Sequence, residues 1–281
     1  MLDDINSGNR PSGAARTAPS DPGGTGCGRL DAIGVGIPAC DEEARIAACL
    51  TSVLAAASRI ELPVVVVVTA DRCTDGTVRH ARAAIERFPK RGRVAGVVLS
   101  GAYGSAGGAR AAALDGALTL SPAPPERCWL ATTDADTTVS MDWLEAQLRW
   151  AQRGADGVAG LVEVDWEEGP ASLPGRFAAA IAADGTAFGH RHVHGANLGL
   201  RGHRWVEVGG CGAAAVGEDH ELWRRLRAVG AHLHGVDDVR VRTSGRLVAR
   251  APLGFSRYLT ELCDTEVRRR SVLGLDPAQS S

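Results

Sequence analysis

Short apolar runs alternate with amphipathic segments over the first half of the chain, and polar or glycine-rich residues follow each run. Runs this short, rich in β-branched residues, predict buried strands. They lie at 31–37, 64–69, 94–99 and 128–133. The intervening segments have helical spacing, as Ile46, Leu50 and Leu54 show in the first of them. Four strand–helix units in succession predict an α/β fold with a doubly wound, mostly parallel central sheet flanked by helices.

The pattern changes after residue 155, where the second half of the chain begins. Strands are predicted at 157–164 and 239–243, and a helix from Glu218 that ends at Gly230. The stretch from 167 to 196 is looser and contains three alternating histidines. A final helix is expected near 255–270. This half predicts a smaller region beside the sheet.

The domain organisation follows from these patterns and from the composition of the ends. Residues 1–29 are rich in Gly, Ser, Pro and Ala, which predicts a disordered leader. Residues 274–281 predict a loose tail. The part between them, 30–273, is expected to form one domain with two halves, about 30–155 and 156–273.

Composition narrows the class of protein and its compartment. The net charge of −2 provides no electrostatic footprint for nucleic acid. The seven cysteines are odd in number and form no CxxC pair, which favours reduced thiols and a cytoplasmic protein. No apolar run approaches the roughly 18 residues of a membrane span, so no integral membrane segment is predicted. Peripheral association with a membrane stays open.

An acidic pair, Asp134 and Asp136, follows the strand predicted at 128–133. Side chains at i and i+2 past a strand point to the same side, where their repulsion calls for a cation or a proton. Carboxylate oxygens suit Mg²⁺ or Mn²⁺, whose shell is completed by water and by phosphates of a substrate. The pair therefore predicts a metal–diphosphate site, and the alternative is a solvated turn.

Two further polar strings, at 41–43 and 71–77, also follow predicted parallel strands. Ligands of doubly wound sheets bind beyond the carboxyl ends of the strands. These strings and the pair at 134–136 are therefore expected to share one rim of the sheet.

Five motifs, in this order, resemble those of family-2 glycosyltransferases with the GT-A fold, over about residues 31–255. They are Ile-Pro-Ala-Cys-Asp-Glu-Glu at 37–43, the string at 70–77, Gly-Gly-Ala-Arg from 107, Asp-Ala-Asp at 134–136 and Gly-Glu-Asp at 217–219. Two departures are Ala70, where the family usually has Asp, and Cys73, where Ser is common. Asp71 would therefore carry any base recognition by itself.

The resemblance implies a metal-dependent transfer of a sugar from a UDP- or GDP-sugar to an acceptor hydroxyl, with inversion. The Gln-x-x-Arg-Trp string of processive synthases is absent from the sequence, which favours a single, non-processive transfer. By resemblance, Pro38, Glu42 and Asp71 line the base and ribose pocket. Asp136 is the expected ligand of Mn²⁺ or Mg²⁺, and Asp134 meets the ribose, or the metal through water.

The resemblance also suggests roles for residues of the second half. Asp219 is the expected catalytic base, which removes the proton of the attacking hydroxyl; the alternative is an ordinary acidic residue in the first turn of a helix. Glu218, His194 and Asn197 are expected near the acceptor. His190 and His192 alternate with His194, so on a strand the three would share a face and could hold a metal, although solvated histidines are commoner.

Three arginines are candidates for binding an anion. Arg110 is placed near a helix start, where a cation opposes the helix dipole, which favours a role towards phosphate or base. Arg242 and Arg246 are candidates for the diphosphate. For all three, a solvated surface arginine is the competing interpretation.

Two other functions are compatible with parts of the sequence. A nucleotidyltransferase of related fold would carry a glycine-rich loop directly after the first strand, where this chain has Pro38–Asp41. A catalytically degenerate nucleotide-sugar binding protein is supported by Ala70 and Cys73 alone, and it would not need Asp219.

Overall fold

A computed structural model provides the structure, which describes residues 28–89, 92–166, 170–183, 185–186, 189–211, 217–246, 259–260 and 262. Residues 1–27 of the predicted leader, the predicted tail and most of the expected helix near 255–270 lie outside the described residues. Among the described residues, none of the helices combines the length and the apolar character needed to cross a bilayer.

The described residues form ten strands and seven α-helices. The strands are β1 Ala32–Ala39, β2 Val64–Asp71, β3 Val94–Gly101, β4 Cys128–Thr132, β5 Thr137–Val139, β6 Gly157–Asp165, β7 Gly185–Thr186, β8 Gly189–His190, β9 Leu198–Arg201 and β10 Leu233–Ser244. The helices are α1 Ile46–Ser58, α2 Thr77–Arg87, α3 Ala106–Thr119, α4 Trp143–Gln152, α5 Leu173–Ala183, α6 Gly202–Glu207 and α7 Glu218–Ala228.

Eight of the strands form one sheet in the order β3-β2-β1-β4-β9-β6-β10-β5. The first four are parallel to one another, as are β6 and β10, whereas β9 and β5 run antiparallel to their neighbours. The predicted α/β fold with a mostly parallel central sheet is therefore confirmed. The short β7 and β8 form a separate hairpin.

The alternation of β1 explains how helices cover both faces of the sheet. Ile33 and Ile37 are fully buried in the cluster that also contains the apolar residues of α1. On the other face, a Cβ on Gly36 would lie 2.8 Å from a side-chain carbon of Leu114 in α3. The small residues of β1 therefore let α3 pack closely on the centre of the sheet.

Two predictions for the end of β1 and the segment that follows it need correction. The strand does not end before Pro38 but continues to Ala39, because at Pro38 it pairs with β2 alone and β4 has already turned away. Proline lacks the N–H that a strand paired on both sides would use. Asp41, whose residue type and position before Glu42 and Glu43 predict a helix cap, does not cap α1, which begins at Ile46 without a side-chain cap.

The second half contains elements that the sequence pattern missed. Helix α5 lies within the stretch expected to be loose, because Pro174 and Gly175 in its first turn weaken the helical signal. Strand β9 has only four residues, too few to show a period, yet it joins β4 to β6.

The packing of α3 on β1 generates a stability prediction. Leu114→Ala should lower the free energy of unfolding by about 2–5 kcal/mol, because it opens a cavity beneath Gly36. Leu120→Ala, at a residue 50% exposed at the end of the same helix, should change it by less than about 0.5 kcal/mol. Urea unfolding measures both, and equal losses would contradict this packing.

Candidate active site

The loops that follow β1 and β2 are joined at the carboxyl edge of the sheet. Asp41 accepts a hydrogen bond of 2.7 Å from the backbone N–H of Thr74, and the backbone N–H of Glu42 donates to Thr77 Oγ1 at 2.7 Å. Gly76 N–H donates to Glu43 Oε2 at 2.7 Å. Asp41 therefore ties the two loops together, and this contact replaces the helix cap expected for it.

Arg246, just after β10, connects the first of these loops to the acidic pair. Its guanidinium donates to the carboxylate of Glu42, with Nη1 at 2.9 Å, and lies 3.0 Å from Asp136 Oδ2. All three side chains are at most 16% exposed. The third polar string therefore lies on the same rim as the other two.

Asp136 is in an electrostatically unfavourable position. Burial raises the pKa of its carboxyl to about 6, the neighbouring Asp134 adds to the rise, and Arg246 opposes it. Thr137 and Thr243 hydroxyls lie 3.4 and 3.3 Å from its Oδ1. A buried carboxyl with a raised pKa, next to a second carboxylate, is a site that gains by binding a cation.

The donor set of Asp134 and Asp136 fits a hard divalent cation. Both residues offer carboxylate oxygens, and Asp134 remains about a third exposed, which leaves room for water or a ligand. Among the described residues, a different group, Asp41, Cys73 and Asp75, brings three possible ligand atoms within 4.8 Å of one another. Its carboxylates already accept hydrogen bonds from the backbone of these loops.

Arg110 lies at the centre of the second group of site residues. Although it is only 3% exposed, its guanidinium donates to Asp134 Oδ1 at 2.9 Å, to the carbonyl of Gly195 at 2.8 Å and to Thr132 Oγ1 at 3.0 Å. Burial opposes its charge, but Asp134 and Glu218 outweigh burial and hold the pKa of Arg110 above its ordinary value. The solvated alternative for Arg110 is therefore wrong.

Asp219 lies in the first turn of α7, next to the loop that Arg110 contacts. Its Oδ2 accepts from the backbone N–H of Gly195 at 2.9 Å, and its Oδ1 accepts from the N–H of His220 at 2.8 Å. The carbonyl of Gly195 thus accepts a hydrogen bond from Arg110, and its N–H donates one to Asp219. Asp134 and Asp219 are therefore connected through Arg110 and Gly195.

Two residues expected near the acceptor have structural contacts instead. Glu218 is 7% exposed and accepts from Nε and Nη2 of Arg110, both at 3.4 Å. Asn197 is fully buried, accepts from Trp143 Nε1 at 3.0 Å and donates to the carbonyl of Leu161 at 2.9 Å. The buried Asn197 amide anchors the loop beneath the site and is out of reach of an acceptor.

The three alternating histidines form a row, as their spacing predicted. The ring centroids of His190 and His192 are 5.6 Å apart, and those of His192 and His194 are 5.9 Å apart. Burial lowers the pKa of His194 to about 4, which leaves its ring neutral at pH 7. Within the described residues the row is not one of the groups able to hold a metal.

The structure separates the two arginines expected at the diphosphate. Arg242 is 59% exposed and pairs with Glu163 and Asp165, at 3.7 and 3.4 Å. Its neighbour Thr243 points to the opposite face of β10, where it contacts Asp136. Arg246 is therefore part of the acidic cluster, whereas Arg242 is not.

The residues expected around the base and ribose lie at the ends of β1 and β2. Pro38 is buried in β1. Asp71 is 4% exposed, and its Oδ1 accepts from the N–H of Tyr103 at 2.7 Å. It thereby fixes the loop before α3. Arg72, next to it, has a φ of 51°, a left-handed conformation that is costly for a residue with a side chain.

Sequence reasoning missed two residues that shape the site. Thr243 is a β-branched residue in a strand, and nothing local indicates that its hydroxyl contacts Asp136. Gly195 is required because a Cβ there would lie 2.4 Å from Nη2 of Arg110. A single glycine in a loop gives no sequence signal for such a contact.

Comparison with known proteins identifies the family. Residues 34–201, more than half of the chain, match the model of glycosyl transferase family 2. The chain belongs to this family and is a glycosyltransferase, which confirms the resemblance drawn from the motifs. The sequence matches none of the curated proteins with which it was compared.

Solved structures share the fold at low sequence identity. S. aureus TarS 1–349 in complex with UDP aligns over 85% of this chain and 72% of its own, with a TM-score of 0.54 and 15% identity. The same protein with UDP-GlcNAc gives 0.55 and 15% over 85% and 66%. The mannosyltransferase PcManGT from Pyrobaculum calidifontis, with GDP-Man and Mn²⁺, gives 0.58 and 15% over 90% and 77%. These likenesses support the GT-A fold.

The raised pKa of Asp136 predicts a stability cost that depends on pH. Because the folded protein holds a proton on this carboxyl that the unfolded chain has lost, its contribution to stability falls as the pH rises from about 4 to about 6. Asp136→Asn should therefore stabilise the metal-free protein at pH 7, by an amount on the order of 1–3 kcal/mol. Below about pH 4 the gain should disappear.

Urea unfolding of both proteins between pH 3.5 and 8, in the presence of a chelator, measures this difference. Asp142→Asn is the control, since its exposed side chain lies just beyond β5. A gain that is the same at every pH, or a loss at pH 7, would contradict the electrostatic account.

Proposed function

We propose that this glycosyltransferase transfers a sugar from a nucleotide-sugar donor to an acceptor hydroxyl with the help of a divalent metal, Mn²⁺ or Mg²⁺. One sugar is transferred per binding event, the configuration of the anomeric carbon is inverted, and Asp219 is the base. The observation that carries the proposal is the chain of contacts Asp134–Arg110–Gly195–Asp219. These contacts support the proposal because they fix the position of Asp134 relative to the candidate base Asp219.

The donor would bind along the rim formed by the loops after β1, β2 and β4. Glu42 and Asp71 are nearly buried there, and a carboxylate suits the N–H groups of uracil or guanine. The UDP, UDP-GlcNAc and GDP-Man ligands of the similar structures support a UDP- or GDP-sugar. In this proposal residues of about 30–155 bind the donor, and those of about 156–273 supply the base and the acceptor surface.

Asp136, with Asp134 directly or through water, would hold the metal. Held by these two carboxylates, Mn²⁺ or Mg²⁺ would supply positive charge that offsets the charge building up on the departing nucleoside diphosphate. PcManGT is similar in fold and was solved with Mn²⁺, which supports a metal here.

Arg246 is well placed to respond to the donor. Both of its terminal nitrogens engage carboxylates, while its buried Nε has no hydrogen-bond partner among the described residues. A phosphate oxygen of the diphosphate would accept a hydrogen bond from this N–H. It would also bring negative charge to the Arg246 guanidinium, which now bridges Glu42 and Asp136. We expect Arg246, rather than the exposed Arg242, to contact the diphosphate.

Asp219 would remove the proton of the acceptor hydroxyl while that oxygen attacks the anomeric carbon from the face opposite the departing phosphate. Hydrogen bonds from the N–H groups of Gly195 and His220 fix the orientation of the carboxylate. Each of its oxygens keeps a second lone pair for the incoming proton.

We also propose a cytoplasmic location. The cysteines of the described residues, Cys40, Cys49, Cys73, Cys128 and Cys211, are free thiols. Free thiols are typical of a reducing compartment. The enzyme would then encounter its nucleotide-sugar donor in the compartment in which the enzyme is synthesised.

Two substitutions should separate binding from chemistry. Asp219→Asn should lower kcat by about 10²–10⁴-fold and leave Mn²⁺-dependent nucleotide binding intact, because it removes the base without touching the acidic pair. Asp136→Asn should weaken that binding by roughly tenfold or more, because it removes a charged ligand. Release of nucleoside diphosphate and titration calorimetry measure the two effects.

Asp142→Asn, outside the site, is the matched control and should behave as the natural protein. Undiminished turnover by Asp219→Asn would remove the assignment of the base. Undiminished metal-dependent binding by Asp136→Asn would remove the assignment of the metal ligand.

A further inference from the structure

A cavity of about 270 Å³ is lined by residues of α7, of the first part of β10, and of β8 with the segment that follows it. His190, Arg191 and His192 line one side, and Trp223, Arg227 and Leu233 line another. No Asp or Glu is among its lining residues. The cavity therefore combines cationic and imidazole groups with an indole wall, and the acidic charge that acts on His190 comes from Asp237, outside the lining.

The two arginines of this cavity differ from their neighbours on α7. Arg224 and Arg225 both pair with Glu221, at 2.7 and 3.5 Å. Arg191 and Arg227 are both exposed, and neither has an ion-pair partner among the described residues. Their guanidinium groups are free to bind a planar or tetrahedral oxyanion in two-point fashion.

His190 supplies a second, independent indication of a ligand. It is only 7% exposed, and its Nε2 lies 3.2 Å from the carbonyl of Val236. Its buried Nδ1 has no hydrogen-bond partner among the described residues. A buried polar atom without a partner is costly, and a bound oxyanion would favour the imidazolium form, in which this nitrogen donates.

The cavity is aligned with the catalytic site through two elements. On α7, Asp219, Trp223 and Arg227 are four residues apart and therefore lie on one face of the helix. The histidine row runs alongside, with His194 beside Asp219 and His190 at the cavity. Eight residues of helix place Arg227 about 12 Å along the axis from Asp219.

We propose that this cavity binds the oxyanion of a negatively charged acceptor, a phosphate monoester or a carboxylate, whose hydroxyl reaches Asp219. The inference rests on the proposed function and deepens it by naming the class of acceptor. A separation of about 12 Å exceeds the length of one sugar ring. The acceptor would therefore be elongated, with its anionic group at one end and the reacting hydroxyl towards the other.

Inorganic phosphate is the probe for the anion site, and sodium acetate at the same ionic strength tests the carboxylate form. Sodium chloride serves as the reference. Phosphate or acetate should raise the melting temperature of the full chain above that in chloride, because a ligand of the folded state stabilises it by mass action. The double variant Arg191→Gln/Arg227→Gln should bind the effective anion roughly tenfold or more weakly. Arg224→Gln, on the same helix but outside the cavity, should keep the full shift.

The same proteins test the link to the acceptor. With saccharides offered as matched pairs with and without the effective anionic group, the charged member should have the lower KM, and the double variant should lose this preference. Absence of an anion-specific shift in the natural protein would overturn the site. So would an unchanged shift in the double variant, and equal KM values for charged and neutral acceptors would overturn the role in acceptor binding.

Binding of UDP and GDP with Mn²⁺ is measured on the same natural protein, so that two failures can be distinguished. Anion binding without nucleotide binding would contradict the proposed function and leave the cavity as an anion site. Nucleotide binding without anion binding would contradict the cavity alone.

Discussion

The buried guanidinium of Arg110 is the constraint on which the site depends. It donates to Asp134 from β4's end, to Glu218 at the start of α7 and to the carbonyl of Gly195 in the loop between them. A buried cation needs such partners, because a charge removed from water without compensation costs several kcal/mol. Moving these elements apart would leave the buried Arg110 charge without its partners, which is unfavourable. The contacts therefore keep the end of β4, the Gly195 loop and the start of α7 together.

The same region carries an electrostatic cost at neutral pH, because a buried carboxyl there is held next to a second carboxylate. Asp134, Asp136 and Glu42 converge at one rim, and the two arginines that balance them, Arg110 and Arg246, do not prevent burial and Asp134 from raising the pKa of Asp136. Perturbed carboxyls of this kind concentrate at functional sites, where stability is exchanged for binding. The proposed cation would offset this cost, at the expense of the stability of the metal-free protein.

Much of the fold was predictable because it depends on local patterns. Four strand–helix units with clear periods gave the parallel part of the sheet, and the polar strings after its strands gave the rim where Glu42 and Asp136 meet. The elements that were missed, β9 and α5, are short or begin with Pro174 and Gly175. Their structure is decided by neighbours far along the chain, such as the pairing of Leu198 with Thr132.

The site was predictable in its residue types but less so in its contacts. Asp134, Asp136 and Asp219 were found from motifs, yet nothing local distinguishes Arg246, which joins the acidic cluster, from Arg242, which faces Glu163 across the sheet. Likewise, the sequence places Asn197 near the acceptor, whereas the fold buries it against Trp143. Such outcomes follow from the direction of a side chain in the folded sheet, which a one-dimensional pattern does not contain.

We propose that carboxylates from separate loops converge on a divalent ion and a nucleotide-sugar donor. A crystal structure of the protein with Mn²⁺ and a nucleoside diphosphate, with anomalous scattering to locate manganese, tests it most directly. We expect an anomalous peak within coordination distance of Asp136 and of the diphosphate, on the side of the sheet where Asp219 lies. A peak at Asp41, Cys73 and Asp75, with the acidic pair still held by Arg110 and Arg246, would contradict it.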